Sequence, residues 1–523
     1  MATTLSFKPI IDLPLWRPEA PTVATHAAGG CLTSDMRNDA TRIPLLFFLR
    51  SNVAFDAFDP IVGEWLSLPS PALAGTFGAG TACVFHPAGP TGSLAAGSTS
   101  TVLNLSTALI AAVGVNQLAN RGDGAGFTIR ITGNTAGSSG KVEERTIIAN
   151  TGGTTTPAIT LSSALSFVPA TGDVYEILSG RVFLLNAGTS ATNIWRYYDI
   201  ATNSYNSVGL AFANLPATIS TDSALVALAE HYVPFDRAPG SGFVSGAGSY
   251  NVASPIQCIV ATATAASSIT GAGMSAIRAD EYRNFQIRIV EDTGAPTSVG
   301  QRRRISTHTA GATAVFTLAT AWTVTPSATA KFVVENDNDK IILRSTATTL
   351  LYNYNITANT WDTTTWAAPV AHGAGNVAAQ SFGIGWDSTG PARHSFIYFI
   401  RGGATSSIDV LDIAGAATGA WNNSITYGKS SQTFTTGTSG CYLSATLGGR
   451  YLILNVNGTQ RHARLDLRNR TLDPFTYLRF PQGTAALGDR MASTLFIDGA
   501  TKLSFAYQLT SSQVYFFGMA VQA

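Results

Sequence analysis

One unit organises this chain: an apolar strand, a turn, a second strand ending in Asp or Asn, another turn, and then an aromatic residue. It appears as LLFFLRSNVAFDAFDPIVGEW (Leu45 to Trp65), VFLLNAGTSATNIWRYYDIATNSY (Val182 to Tyr205), IILRSTATTLLYNYNITANTW (Ile341 to Trp361), IYFIRGGATSSIDVLDIAGAATGAW (Ile397 to Trp421) and YLILNVNGTQRHARLDLRNRTLDPF (Tyr451 to Phe475). The acid or amide precedes the aromatic by six residues for Asp59 and Trp65, Asp199 and Tyr205, and Asn355 and Trp361. The separation is nine for Asp412 and Trp421 and for Asp466 and Phe475. An Asp or Asn closing a strand accepts N–H bonds from the turn that follows. The aromatic opens the next strand and buries about 150–250 Å² between sheets. Short β-branched and aromatic runs between Gly/Asn/Thr turns predict strands throughout, and helical periodicity is nearly absent.

Where nothing interrupts it, the unit returns after 56 residues (Ile341 to Ile397) and then 54 (Ile397 to Tyr451). This resembles kelch-like propeller blades, which repeat at about 50 residues and often start their outer strand near a Trp. Most units here lack the Gly-Gly pair usual in kelch blades. The last unit, LSFAYQLTSSQVYFFGMAVQA, has two strands and no outer strand, whereas Leu13-Pro14-Leu15-Trp16 is an aromatic strand with no hairpin before it. Outer strands and hairpins therefore match in number. The expected fold is all-β: a six-bladed β-propeller closed by the N-terminal strand, with two small inserted β-domains. Inner strands are expected at Gly30 to Ser34, Gly80 to His86, Ile256 to Val260, Ser381 to Trp386, Gly440 to Ala445 and Ala492 to Ile497.

Two units arrive late, because Leu45 to Val182 spans 137 residues and Val182 to Ile341 spans 159. The excess is a second duplication. FTIRITGNTAGSSGKVEERTIIAN and ITLSSALSFVPATGDVYEI answer to FQIRIVEDTGAPTSVGQRRRISTH and FTLATAWTVTPSATAKFVV, aligning Phe127 with Phe285, Arg130 with Arg288, Gly140 with Gly300 and Pro169 with Pro326. Each copy is read as a compact β-domain of about five strands, set between a blade's inner and second strands and projecting beside the other copy. The division is residues 1–97 propeller, 98–179 first module, 180–260 propeller, 261–336 second module and 337–523 the rest of the ring. The run ATAWTVTPSATAKFVV, preceded by F-x-I-R-I-V and a G-Q-x-R-x-I strand, resembles a module that recurs in virion proteins of tailed bacteriophages. The likeness covers roughly Ala261 to Glu335 and, more weakly, Ser98 to Leu178, where LSFVPATGD replaces AWTVTPSAT. It implies a structural or interaction element and not a catalytic one.

Charge points the same way. Charged residues are 12% of the chain and the formal net charge is +1. Bulk electrostatics therefore predict no nucleic-acid partner. Apolar runs are strand-length, short of the roughly 20 residues of a membrane helix, and MATTLSFKPIIDLPLW lacks the pattern of a signal peptide. Cys31, Cys83, Cys258 and Cys441 have no metal-ligand spacing and all fall on the expected inner strands, so they are read as free thiols.

No catalytic, cofactor-binding or metal-binding residue emerges; G-x-S-x-G, H-E-x-x-H and the P-loop do not occur. His462 and Asp466 lie about 13 Å apart along a strand, so Asp466 is read as a turn cap. Asp387 and His394 fall in a loop around a Gly-Pro turn. Arg121-Gly122-Asp123 is a three-residue match to an adhesion tripeptide, a chance-level signal. Arg302-Arg303-Arg304 is the single basic run and the candidate subunit contact to an acidic neighbour. The expectation is a non-enzymatic structural component of a tailed-phage virion, in the tail, baseplate, neck or a capsid appendage. It would be made in the host cytoplasm and held by contacts with other virion proteins and copies of itself. A carbohydrate-binding or glycan-cleaving propeller is the alternative, and would call for channel-facing carboxylates; a bacterial kelch scaffold is a third reading.

Overall fold

The structure is a computed structural model of the 523-residue chain. It describes residues 17–21, 29–34, 45–60, 62–78, 80–122, 124–186, 193–207, 209–210, 223–227, 256–273, 277–335, 337, 339–344, 350–367, 381–385, 396–400, 408–416, 420–422, 439–443, 451–455, 461–466, 471–479, 490–498, 501–510 and 513–521. The described residues are all-β apart from one short helical turn at Pro296–Ser298.

Six four-stranded antiparallel sheets lie among them. The first holds β2 (Cys31–Ser34), β3 (Leu46–Ser51), β4 (Ala54–Asp59) and β5 (Glu64–Ser67). The second holds β6 (Ala82–His86), β13 (Arg181–Leu185), β14 (Trp195–Asp199) and β15 (Ser204–Tyr205). The third holds β16 (Ala224–Ala227), β23 (Lys340–Arg344), β24 (Leu350–Asn355) and β25 (Thr360–Ala367). The fourth runs from β26 (Ser381–Gly385) through β27 (Phe396–Ile400) and β28 (Ile408–Asp412) to β29 (Ala420–Asn422). The fifth runs from β30 (Ser439–Leu443) through β31 (Tyr451–Asn455) and β32 (Arg461–Asp466) to β33 (Thr471–Arg479). The sixth orders β34 (Arg490–Asp498), β35 (Thr501–Leu509) and β36 (Gln513–Val521), and then β1 (Arg17–Pro21), whose Arg17 faces Phe516 across the pair. First strands neighbour one another: β2 lies beside β6 and β34, β16 beside β6 and β26, and β30 beside β26 and β34. The arrangement is propeller-like.

The apolar second strands explain it. On β3, Phe47 and Leu49 pack towards the second sheet, while Leu46 and Phe48 pack towards the sixth. On β13, Val182 and Leu184 face the first sheet, and Phe183 and Leu185 the third. A strand covered on both faces needs an unbroken apolar run, and each fully buried Leu, Ile or Phe contributes about 1.5–3 kcal/mol. The closing acids behave as turn caps. Val62 N donates to Asp59 Oδ1 at 3.4 Å, Thr202 N to Asp199 Oδ1 at 3.1 Å, Ala358 N to Asn355 Oδ1 at 3.0 Å and Ala414 N to Asp412 Oδ1 at 3.0 Å. Trp361 packs between sheets, its ring 5.5 Å from that of Trp195.

Two six-stranded units interrupt the second and third sheets. The first comprises β7 (Thr91–Ser93), β8 (Val102–Asn104), β9 (Thr128–Thr132), β10 (Val142–Asn150), β11 (Ala158–Leu161) and β12 (Val174–Ile177), in the order β7-β12-β9-β10-β11-β8. The second comprises β17 (Ile256–Ala265), β18 (Ser268–Ala272), β19 (Gln286–Glu291), β20 (Arg302–His308), β21 (Ala314–Leu318) and β22 (Lys331–Glu335), and closes as a barrel in the equivalent order. In the first unit, β7 and β8 are joined by the bridge between Leu94 and Leu105 and by the bond from Ser106 N to Ser93 O at 2.8 Å. The duplication is thus a shared topology of six strands and not about five.

One expected inner strand is corrected. Ile256 to Val260 pairs within the second barrel, and the strand beside β23 is β16. Cys258 accordingly lies on the barrel strand β17. Ile256 to Val260 (IQCIV) and Ala224–Ala227 (ALVA) are both short and mostly apolar, and such a segment reads the same in a barrel as in a blade. Cys31, Cys83 and Cys441 are free thiols on β2, β6 and β30. Trp16, Asp123, Asp387 and His394 lie outside the described residues, as does the side chain of Cys258.

Candidate interaction surface

The two modules meet face to face. Residues on one face of a strand are two apart. On β9 and β10, Ile129, Ile131 and Ile147 fill the first module's own core, so Arg130, Thr132, Val142 and Glu144 stand on its outer face. On β19 and β22, Ile287, Ile289, Phe332 and Val334 fill the second core, leaving Arg288, Val290, Val333 and Glu335 outward. All eight of these outward residues are nevertheless buried. Val142 packs into the apolar cluster of the other module. Lys141 and Glu291 form an antiparallel bridge, and Asp292 N donates to Gly140 O at 2.7 Å.

The contact is nearly two-fold. Gly140 has φ 66° and Gly300, its counterpart, φ 85°. A Cβ on Gly140 would run into the Asp292 carbonyl, and one on Gly300 would lie 3.1 Å from Thr132 Cγ2 and 3.8 Å from Asn134 Nδ2. Asn134 occupies in the first module the position of Asp292 in the second, so each glycine turn seats against the same loop of the other copy. The likeness stops at the loops: Asp292 N bonds Gly140 O, whereas Asn134 N bonds Asp173 Oδ1 of its own module.

The face carries ion pairs. Arg130 bonds Glu144 and Glu176, both at 2.9 Å. Arg288 grips Glu335 at 2.9 and 3.0 Å, with Arg302 at 3.7 Å. Burial alone would raise the Glu335 carboxyl, but Arg288, then Arg302 and Arg130, outweigh it and hold it below its ordinary value. The Arg130 contribution crosses between modules.

Each module is also tied to the sheets beneath. Gln117 Nε2 donates to Ala201 O at 2.9 Å, and Ile200 and Ala201 join the first module's apolar cluster. Asn284, at φ 67°, donates through Nδ2 to Ile413 O at 2.7 Å and Ala416 O at 2.9 Å. Both anchors use the turn after a closing acid, Asp199-Ile200-Ala201 or Asp412-Ile413-Ala414.

The basic run sits on β20 with its members differently engaged. Arg302 faces Glu335. Arg303 lies 5.6 Å over the Trp322 ring and donates to Ala321 O at 2.7 Å and Thr323 Oγ1 at 2.7 Å; burial lowers its pKa. Arg304 pairs with Gln286 in the sheet and is half-buried. All three keep part of their surface open to solvent. His462 is brought to Gln508 on the neighbouring sheet, Nε2 to Oε1 at 2.5 Å; the side chain of Asp466 lies outside the described residues.

Sequence reasoning missed two buried carboxylates that tie the module loops. Asp173 accepts from Asn134 N, Thr135 N, Thr135 Oγ1, Ser138 Oγ and Ala170 N at 2.8–3.0 Å. Asp292 accepts from Gly294 N, Ala295 N, Ser298 Oγ, Ser327 N and Ser327 Oγ at 2.6–3.1 Å. The same pair of loops is joined in both modules, with the acid on opposite sides. Their signal was the Ser/Thr/Gly cluster around each acid. Among the described residues, no group of three or more His, Cys, Asp and Glu could hold a metal ion, and no helix is long and apolar enough to cross a membrane.

No family model and no curated protein sequence matches this chain. Among solved structures, a chain titled "Crystal Structure of Mitotic Checkpoint Complex" is 9% identical at a TM-score of 0.32, covering 99% of this chain and 97% of that one. U3-55K is 7% identical at a TM-score of 0.32, covering 96% of this chain and 98% of that one. Likeness at this level adds no argument to the topology described above.

Proposed function

We propose that the chain is a non-enzymatic structural protein of a tailed-phage virion, acting through contacts with other virion proteins and copies of itself. The framework in this reading is a six-bladed propeller, closed where β1 completes the sixth sheet. The cyclic adjacency of the first strands supports that closure. The observation that carries the functional reading is the pair of duplicated modules docked on the sheets, each by an amide side chain on a backbone turn. A rigidly seated appendage of this kind suits assembly contacts. The buried carboxylates described above, Asp173, Asp292 and Glu335, are engaged in loop ties and ion pairs, which suits a scaffold. The sequence likeness of the second module to tailed-phage virion modules sets the context.

The test is mass spectrometry of purified virions from the phage that encodes the chain. The expected result is the chain at a fixed ratio to known tail proteins, retained through a density gradient. Its absence from particles, with abundance in the infected-cell lysate, would overturn the proposal.

A further inference from the structure

The seam between the modules carries a charge inversion that duplication alone does not explain. In register, Glu144 faces Arg130 on the first module, and Arg302 faces Arg288 on the second. Arg130 and Arg288 are equivalent, so by strand pairing Glu144 and Arg302 occupy one position with opposite signs, although Glu144 lies four residues past its glycine turn and Arg302 two. With Glu176 on one side and Arg304 and Glu335 on the other, the first face sums to one negative charge and the second to two positive charges. A first module facing another first module would bring two negative faces together, and two second modules two positive ones.

We infer that this inversion selects the partner: each module takes the oppositely charged module of its own chain, and like modules of different chains are rejected. The inference is independent of the virion reading. Buried ion pairs serve discrimination better than net stability, because desolvation offsets most of their attraction. Like charges brought face to face are strongly unfavourable, so a single inverted position suffices for choice. Both turns seat against the other copy, Gly140 on the Asp292 backbone and Gly300 on the Thr132 and Asn134 side chains, so the inverted charges add their selectivity to that of the backbone fit. The faces of β9, β10 and β12 and of β19, β20 and β22 are then occupied within the chain and closed to other copies.

The experiment uses the full chain and hydrogen exchange at the Asp292 amide, which bonds Gly140 O across the seam. Glu144→Arg and Arg302→Glu should each speed that exchange roughly tenfold or more, while amides of β13 and β14 stay as in the parent. The double variant, which relieves the repulsion that Glu144→Arg alone creates, should exchange more slowly than the product of the single effects, and parent exchange should not depend on protein concentration. A double variant at the product of the single effects, or concentration-dependent protection in the parent, would overturn the inference. If a reversal variant fails to fold, Glu144→Gln and Arg302→Gln replace it. Their combined effect should fall short of the product of the two single effects, and a plain product again overturns the inference.

Discussion

Asp292 is the residue on which the second module's loops depend most directly. It is 1% exposed and accepts five hydrogen bonds from two separate loops. Replacing it with Ala strands the backbone N–H groups of Gly294, Ala295 and Ser327 and the hydroxyls of Ser298 and Ser327. Bonds to a charged acceptor net about 1.5–3 kcal/mol each, but the hydroxyls can turn to new acceptors and water can enter the vacated space. The expected cost is therefore about 3–5 kcal/mol, and about 1–2 kcal/mol for Asp292→Asn, which keeps one acceptor oxygen. Unfolding of a chain with several sheets and two modules is not two-state, so the assay is local: hydrogen exchange of β20 and β22. A loss of 3 kcal/mol speeds exchange there by more than about a hundredfold. The charge also sets a pH dependence. Burial would raise the Asp292 carboxyl, but bonds from Ser327, Ser298 and Ala295 override it and hold the pKa below the ordinary value. The stabilisation is therefore complete above about pH 4 and fades as pH falls through the folded value. An Asp292→Ala variant whose exchange rises less than about fivefold, or whose acid sensitivity matches the parent's, would refute this reasoning.

Two further outcomes follow from the geometry. Deleting residues 1–21 removes β1 and exposes the edge of β36, QVYFFGMAV; the melting midpoint should fall by about 5 °C or more with visible aggregation, and an unchanged melt would refute closure by this strand. His308 accepts from Tyr282 N through Nε2 at 2.9 Å while Nδ1 faces Thr309 O at 2.9 Å, which fixes a neutral ring. Burial lowers its pKa, opposed by Thr309 O, Asp280 and Glu281 and assisted by Arg283. Stability from the neutral ring is full above about pH 6.5 and declines as pH drops towards the folded value, so protection of β20 and β21, taken relative to the intrinsic exchange rate at each pH, should fall between pH 7 and pH 5, and protection that stays constant would refute it.

The blades were legible because two local signals coincide in them. Unbroken apolar runs such as Leu45 to Leu49 mark strands covered on both faces, and the acid-to-aromatic spacing marks the turn that follows. Both are properties of short segments, so Asp59, Asp199, Asn355 and Asp412 fell into their roles from sequence. The third inner strand was not legible for the opposite reason. Ala224–Ala227 is short and far in sequence from its partner β23, whereas Ile256 to Val260 opens a ten-residue strand and lies nearer to it. Pairing across more than a hundred residues, as between β16 and β23, is decided by which neighbour already stands there.

The seam between modules illustrates the harder limit. Alternation in Ile-Arg-Ile correctly puts Arg130 and Arg288 on an outer face, and alone it makes that face wet. What buries the face is a second copy of the same alternation, arriving at the glycine turns. The duplication, the two glycines and the opposed signs of Glu144 and Arg302 were all present in the sequence. Their meaning appears only when the copies are laid in register, because the aligned positions that differ in sign are the ones that decide pairing. The Arg302 to Arg304 run, read singly, suggests a handle for an outside partner. In the structure, Arg302 pairs with Glu335 of its own module on the face turned to the seam, and Arg303 packs on Trp322.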